Sequence, residues 1–349
     1  MIGELFGRRI RVTLGDQVIV NLDPGESLSV NEARNLDVDF NVSTHAKPEP
    51  LVADVTVKNL NAERRQALAN QQERARRQAW QKYQAVVVGD VLVEPDQVAD
   101  ASANLVSQGA TITIEAGYGD DFGLIHTGTV LPDGLDDNPD APGYSTSFRS
   151  QDNRLPWSNA FVSEEVAPGV TLVDYQQALA VAEQYKRGNI GGAEVEAAAP
   201  GILERKLDVF GYENGKVLHG QTRDESQKLM DTLGLRAFLV DGKPYYLSVE
   251  ATLFTEAVVL QLVPKDTRVA APGGLLQIKQ VGRMWQGRCL LNHRMSAGRQ
   301  LKLLWEDGSP IGGGIFKVEH ATHTGSSYAA NYYTEFVARP TSIKAKANG

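Results

Sequence analysis

The chain has 349 residues, with 35 Lys and Arg against 43 Asp and Glu, which gives a formal net charge of −8 at pH 7. This balance argues against a general nucleic-acid-binding surface, and a single cysteine, Cys289, excludes an intrachain disulfide and a cysteine-based zinc site. No run approaches the roughly 20 apolar residues that span a bilayer, and residues 1–9 lack the apolar region of a signal peptide. The length predicts two or three domains of a soluble protein.

Alternating apolar and polar residues predict a β domain over residues 1–132. An apolar side chain at every second position is the period of a half-buried strand. The alternation occurs at residues 8–20, with a turn at Gly15-Asp16, and again at 36–42, 51–57 and 110–116.

Residues 61–108 interrupt this pattern and are predicted to form a helical insertion in the first domain. Residues 62–83 contain neither Gly nor Pro and are rich in Ala, Gln, Glu and Arg, which favour a helix. Asn61 is the predicted N-cap, and a stripe that includes Leu68 and Ala75 is the predicted buried side. A short strand is predicted over residues 85–88.

This helix is strongly basic, with six basic residues against two acidic ones and a local charge of +4. A solvated face is the ordinary explanation of such a charge run, and a docking helix for an acidic partner is the functional one. The candidate interface residues on it are Arg64, Arg74, Arg76, Arg77 and Trp80.

An α+β middle region is predicted over residues 133–234. Residues 132–158 are dense in Asp, Pro and Gly and are predicted to be a loop. Helical spacing of apolar residues predicts one helix over 171–186 and another over 222–233, which Gly234 ends.

The last region, residues 235–349, is predicted to be a second β domain. Residues 236–249 read as a hairpin that turns at Asp241-Gly242. Further strands are predicted at residues 257–262, 289–291, 300–304, 314–320 and 332–338.

Two groups of residues were weighed as metal sites, and neither is predicted to be one. His320 and His323 lie three apart on a predicted strand, where side chains three apart point to opposite faces, so a polar hairpin shoulder is the better interpretation. The acidic residues between 133 and 140 lack the order of a calcium loop and are predicted to be solvated. The sequence carries no nucleotide-binding or hydrolase motif. We therefore predict no catalytic residue, metal or cofactor.

Several of these segments, taken in order, resemble the baseplate hub proteins of bacteriophage tails. They are CLLNHRMSAG at residues 289–298, IFKVEHATH at 315–323 and YYTEFVARP at 332–340, with ITIEAGY at 112–118 and LIHTGTV at 124–130 resembling the family's first tube-like domain. His293 and Ala297 stand where the family usually has prolines.

The resemblance implies a mainly β fold with an α+β middle region and two tail-tube-like β-barrel or sandwich domains, the first with a helical insertion. It implies a structural virion protein, not an enzyme, made in the host bacterial cytoplasm and placed in the tail baseplate. A homotrimer would form a pseudo-hexameric ring, with the tail tube protein above, the spike protein below, and the tape-measure protein and other baseplate proteins as further partners. DNA would pass through the lumen without specific binding, and an acidic lumen would repel its phosphates.

Two alternatives remain open from the sequence. A tail-associated cell-wall-degrading enzyme would need carboxylates clustered in a cleft. A monomeric tail adaptor or binding module would need no ring and would stay monomeric at all concentrations.

Overall fold

A computed structural model of the chain describes most of both ends of the chain and separate pieces of its middle. The described residues are 7–22, 36–45, 51–87, 110–138, 144–152, 161–166, 216–221, 224–225, 227–228, 231, 235–240, 243–248, 252, 257–264 and 274–341. Within them the protein is mainly β, with a large antiparallel sheet and one long helix.

The N-terminal half of the large sheet has the strand order β2-β1-β5-β6-β7-β4-β3, antiparallel throughout. Its elements are β1 (Arg8–Leu14), β2 (Gln17–Leu22), β3 (Asp37–His45), β4 (Val52–Lys58), helix α1 (Ala62–Val87), β5 (Thr111–Tyr118), β6 (Asp121–Asn138) and β7 (Ser145–Gln151). The predicted alternation is confirmed: every second residue of β1, β3 and β4 is buried, and their apolar side chains belong to one hydrophobic cluster.

The prediction of a loop over residues 132–158 is wrong where the structure has strands. β6 continues through Asn138, and β7 pairs with both β4 and β6. The buried positions of β7 are Thr146, Phe148 and Ser150, so only one of the three is apolar. The prediction depended on alternating apolar residues, whereas two of these three buried positions carry a hydroxyl group that is hydrogen-bonded.

The C-terminal half packs a second hydrophobic cluster. Its strands are β12 (Val258–Gln261), β13 (Leu275–Val281), β14 (Met284–Leu290), β15 (Gln300–Leu304), β16 (Pro310–Ser326) and β17 (Tyr332–Pro340). They run in the order β13-β14-β17-β16, with β15 on β16 and β12 parallel to β15. Cys289 is fully buried in this cluster, as a small apolar residue would be.

One strand pairing joins the two halves into a single thirteen-stranded sheet. Residues 39–45 of β3 pair with residues 320–326 of β16 in an antiparallel register that runs from Asp39 opposite Ser326 to His45 opposite His320. We call these two paired segments the seam. The two predicted β regions are therefore hydrogen-bonded to each other along a full strand length.

The middle of the chain contributes two small antiparallel sheets of two strands each. They are β8 (Phe161–Val166) with β9 (Lys216–Gln221), and β10 (Leu235–Val240) with β11 (Lys243–Ser248). The second confirms the hairpin predicted around residues 241–242. Residues 224, 225, 227, 228 and 231 are helical, as predicted, whereas the helix predicted over 171–186 lies outside the described residues. Among the described helices, none is long and apolar enough to cross a membrane.

Candidate functional site: the seam and helix α1

The start of helix α1 is fixed by the predicted N-cap. Asn61 Oδ1 accepts a hydrogen bond from the Arg64 backbone N–H at 2.8 Å. Arg65 donates to the Leu60 carbonyl at 2.7 Å, and its guanidinium lies 3.4 Å from the ring centre of Tyr144. The helix then runs through Val87, so the prediction of a strand over residues 85–88 is wrong at 85–87.

A buried glutamine ties α1 to the sheet. Leu68 and Gln72 lie one turn apart and are 2% and 5% exposed. Gln72 Oε1 accepts from the Ala110 N–H at 2.8 Å, and its Nε2 donates to the Leu131 carbonyl at 3.3 Å. Sequence reasoning missed Gln72 because it is polar, although its position four residues after Leu68 was a usable signal.

The structure places the candidate interface residues of α1 apart from one another. Arg64 is half-buried at the edge of a hollow of 370 Å³ that Val18 and Leu68 also line. Arg74 and Arg77 are exposed, and Arg77 pairs with Glu73 at 2.9 Å. The helical backbone includes residues 76 and 80, but their side chains lie outside the described part of the structure.

Tyr332 of β17 locks the C-terminal half onto the N-terminal half. Its hydroxyl lies 2.7 Å from the Arg9 carbonyl, to which it donates, and accepts from the Gly117 N–H at 3.0 Å. Tyr118 donates in turn to the Tyr332 carbonyl at 3.0 Å. Burial raises the pKa of the Tyr332 hydroxyl well above its ordinary value, so it remains a hydrogen-bond donor.

The turn between β16 and β17, residues 327–331, is held by polar contacts to the other half. Arg8 donates to the Ser326 and Ala329 carbonyls at 3.1 and 2.6 Å, and its guanidinium lies 4.9 Å from the Tyr332 ring centre. Lys58 Nζ donates to the exposed Tyr328 hydroxyl at 2.7 Å, and this hydrogen bond is the main cause of the raised pKa of Lys58.

Residues 291–299, which carry part of the resemblance, form a loop that also contacts the N-terminal half. His293 and Arg294 both face Asp121, with distances of 3.7 Å from His293 Nδ1 and 3.3 Å from an Arg294 nitrogen to Asp121 Oδ1. A Cβ atom added at Gly123 would lie 2.5 Å from His293 Cδ2. Only a glycine at position 123 leaves room for the His293 ring this close to β6, so the loop packs tightly against the N-terminal half.

A small polar cavity of 90 Å³ lies at the end of the seam. Four histidines line it together with Asp152 and Arg299: His45, His126, His293 and His323. His126 Nε2 lies 2.9 Å from Ser150 Oγ, and His323 Nδ1 lies 3.0 Å from Thr334 Oγ1.

The histidines weighed as metal ligands do not form a metal site. His323 is 1% exposed, which corrects the expectation of a polar hairpin shoulder at this position. His320 stacks on His45 across the seam, with ring centres 6.5 Å apart. Among the described residues, no group of three His, Cys, Asp or Glu side chains is placed to hold a metal ion.

The acidic residues predicted to be a solvated loop lie partly in β6. Residues 136–138 pair with residues 145–147 of β7, and Asp136 is exposed. Cys289 is no nucleophile, because burial raises the pKa of its thiol to about 12. The polar groups described above make contacts between elements of the fold.

Comparison with known proteins shows a likeness of fold without a likeness of sequence. No family model and no curated protein match the chain. A tail protein from Neisseria meningitidis MC58 is 9% identical, with a TM-score of 0.53 over 96% of this chain and 97% of that one. The predicted resemblance to tail proteins is therefore confirmed at the level of the fold.

Two further solved structures align over most of this chain, at TM-scores below 0.5 that add no argument. A 43 kDa tail protein of prophage MuSo2 from Shewanella oneidensis is 9% identical, with a TM-score of 0.48 over 95% of this chain and 98% of that one. A type VI secretion system component from E. coli is 10% identical, with a TM-score of 0.46 over 95% of this chain and 77% of that one.

Proposed function

We propose that this protein is a structural component of a phage-type tail, and specifically the baseplate hub that joins the tail tube to the central spike. The observation that carries the proposal is the single thirteen-stranded sheet, whose halves meet at the seam, within a fold shared with a tail protein over 96% of the chain. The backbone hydrogen bonds of the seam fix the two halves relative to each other at neutral pH, which supports a structural role.

The described surface also supports a structural role over catalysis. The seam, Tyr332 and the loop at residues 291–299 use their polar groups to join elements. The polar cavity at the seam has a volume of 90 Å³, too small for a segment of cell-wall polymer, and the hollow of 370 Å³ beside α1 is lined by one carboxylate, Glu63, where glycoside cleavage uses a pair. Asp152, the carboxylate in that cavity, accepts a hydrogen bond from the Leu51 N–H at 3.1 Å.

We propose that three copies form the ring, each contributing its N-terminal and C-terminal β regions. The sequence divides the subunit at residues 1–132, 133–234 and 235–349. Because β7 pairs with β4 and β6, we propose that the first region extends to residue 152. In the described sheet β12 ends the branch through β15, from which a bridge between Leu262 and Leu275 leads to β13; β2 and β13 are the end strands of the main path. They expose Val18 by 53% and Leu276 by 45%, which supports contacts of both ends with neighbouring copies.

Helix α1 is the proposed docking element for an acidic surface. The helix carries +4 within a chain of −8, so the remaining residues carry −12. Arg74 and Arg77 are exposed on its outer side. A neighbouring copy of the same acidic chain supplies the complementary charge, and the tail tube and spike proteins are the other proposed partners.

Electron microscopy with symmetry left free tests the hub assignment, on the purified protein or on the particle that contains it. We expect a ring with three-fold symmetry and six similar β regions around a channel. A particle that stays a monomer at every concentration, and that occupies no ring in the assembled tail, contradicts the proposal.

The lumen of the ring is proposed to be acidic and to let DNA pass without specific binding. The net charge of −8 supports this, because an acidic wall repels phosphates. The surface potential of the assembled ring tests it, and a basic lumen contradicts it.

A further inference from the structure

Most of the histidines of this chain lie around one end of the seam. The chain has six histidines. His219 lies on β9, in a separate two-stranded sheet, whereas the other five lie around the seam. They come from β3, β6, the loop at residues 291–299 and β16: His45, His126, His293, His320 and His323.

Two of these rings are buried and hydrogen-bonded to neutral hydroxyls. His126 is 5% exposed and contacts Ser150, and His323 is 1% exposed and contacts Thr334. Burial lowers the pKa of each to about 4, from an ordinary value of 6.5. Both rings are therefore neutral in the closed seam at pH 7.

Two other rings face each other directly across the strand pairing. His45 and His320 are opposite one another at the end of the β3–β16 register, with ring planes 23° apart. Two imidazolium ions stacked in this way repel each other. Lowering the pH therefore destabilises the seam in two places, in the cavity and at the end of the β3–β16 pairing.

The other charged groups around the cavity are few, and they offset one another. Asp152 and Arg299 line the same cavity with opposite charges. Asp121 faces His293 and Arg294 at the entrance, where burial lowers the pKa of His293 more than the Asp121 charge raises it. Further along, Glu319 of β16 pairs with Arg339 of β17 at 3.4 Å.

We propose that the seam is an acid-sensitive latch, in which protonation of His126 and His323, joined by repulsion between His45 and His320, releases β3 from β16 while each half keeps its own hydrophobic core. Among the described residues, the C-terminal cluster has no member from β3, and the N-terminal cluster takes only Leu291 and Tyr332 from the other half, so β3 can separate from β16 while these two residues stay packed. This inference goes beyond the hub assignment and holds for the isolated chain.

The direction and size of the effect follow from proton linkage. Each buried ring binds its proton more weakly in the closed seam than in an open one, so the open state takes up more protons. The latch is stable above a pH of about 6.5 and weakens as pH falls toward about 4. Between pH 7 and pH 5, each ring increases the opening equilibrium by about 20-fold.

Hydrogen–deuterium exchange with mass spectrometry on the full-length protein tests the latch. Exchange at pH 7 and pH 5, corrected for the intrinsic rate with unfolded peptides, gives protection factors for each strand. We expect protection at residues 39–45 and 320–326 to fall by at least 20-fold at pH 5. Protection of β5 and β14 should fall by less than a tenth of that. Equal loss in all strands, or no loss at the seam, overturns the proposal.

Glutamine variants separate protonation from packing. His126→Gln and His323→Gln keep a hydrogen-bonding side chain that does not titrate, and each should keep about 20-fold more seam protection at pH 5 than the unmodified chain. His219→Gln, outside the seam, is the matched control and should behave like the unmodified chain. If a buried variant does not fold at pH 7, His320→Gln replaces it and should retain part of the protection. A folded variant that loses seam protection at pH 5 like the control overturns the proposal.

Discussion

Polar side chains occur both around the seam and on helix α1, but they differ in burial. Beside the seam the Tyr332 hydroxyl is buried and partnered, with the Arg9 carbonyl at 2.7 Å. On α1 Arg74 and Arg77 are exposed, and the side chains of the Arg77–Glu73 pair are 74% and 51% exposed. Removing one partner of a buried hydrogen bond destabilises a fold because the other is left unsatisfied, whereas exposed charges contribute little to stability and remain available to partners.

The largest expected loss of stability comes from truncating a buried apolar side chain of the seam. Phe40 is 3% exposed, and its ring meets the Tyr332 ring edge-on at 6.4 Å. We expect Phe40→Ala to lower the free energy of unfolding by about 3–5 kcal/mol, measured by urea denaturation. Leu276→Ala, at a position 45% exposed, is the control, with an expected change of about 0.5 kcal/mol. Equal losses in both variants would mean that the seam is not a core.

A smaller effect is expected from removing one hydroxyl at the same joint. Tyr332→Phe leaves the ring in place but removes the acceptor of the Gly117 N–H and the donor to Arg9. We expect a loss of about 1–3 kcal/mol in the free energy of unfolding. Tyr328→Phe is the matched control, because the Tyr328 hydroxyl also has hydrogen bonds but is exposed, and its loss should be under about 0.5 kcal/mol. The comparison between seam and surface fails if the two variants are indistinguishable.

The next smaller loss of stability is expected at Gln72, which anchors α1 to the sheet. Gln72→Ala removes both hydrogen bonds to residues 110 and 131 and leaves the Ala110 N–H buried without its acceptor. We expect about 1–2 kcal/mol of lost stability together with increased hydrogen exchange of α1. Gln66→Ala, on the exposed side of the same helix, is the control and should change neither quantity. Unchanged exchange of α1 in Gln72→Ala would show that Leu68 alone holds the helix.

The smallest effect on stability, and the largest on association, is expected from charge reversal on α1. Replacing both exposed residues, Arg74→Glu and Arg77→Glu, should change the free energy of unfolding by less than about 1 kcal/mol. Self-association, measured by sedimentation, should weaken and lose its salt dependence. Lys302→Glu combined with Arg149→Glu, at exposed positions of β15 and β7, is the control, because it changes the net charge by the same amount. If both variants associate like the unmodified chain, α1 is a solvated face.

Sequence patterns predicted local structure well where apolar side chains alternate or follow a helical stripe. β1, β3 and β4 bury every second residue, and α1 begins after Asn61, as their patterns predict. The pattern was misleading at β7, whose buried side is mostly hydroxyl-bearing, and at residues 85–87, where Val86 and Val87 continue the helix. At β7 the pairing with β4 and β6, rather than the local pattern, decides the structure.

The polar cavity could not be predicted for a related reason. His126 is separated along the chain from His293 and His323, and only the pairing of β3 with β16 brings their strands together. Their neutral state depends on burial, which no spacing in the sequence encodes.

By itself, the sequence determined a mainly β chain with one basic helix, a single thiol in an apolar strand and a resemblance to tail hub proteins, because periodicity, composition and motif order are local properties. Only the tertiary structure decided that the two β regions form one sheet, that Tyr332 and Gln72 are its joints, and that five histidines gather at the seam. The physical reason is that strand pairing and burial are set by partners distant in the chain, and each buried polar group takes its role from the partner it finds there.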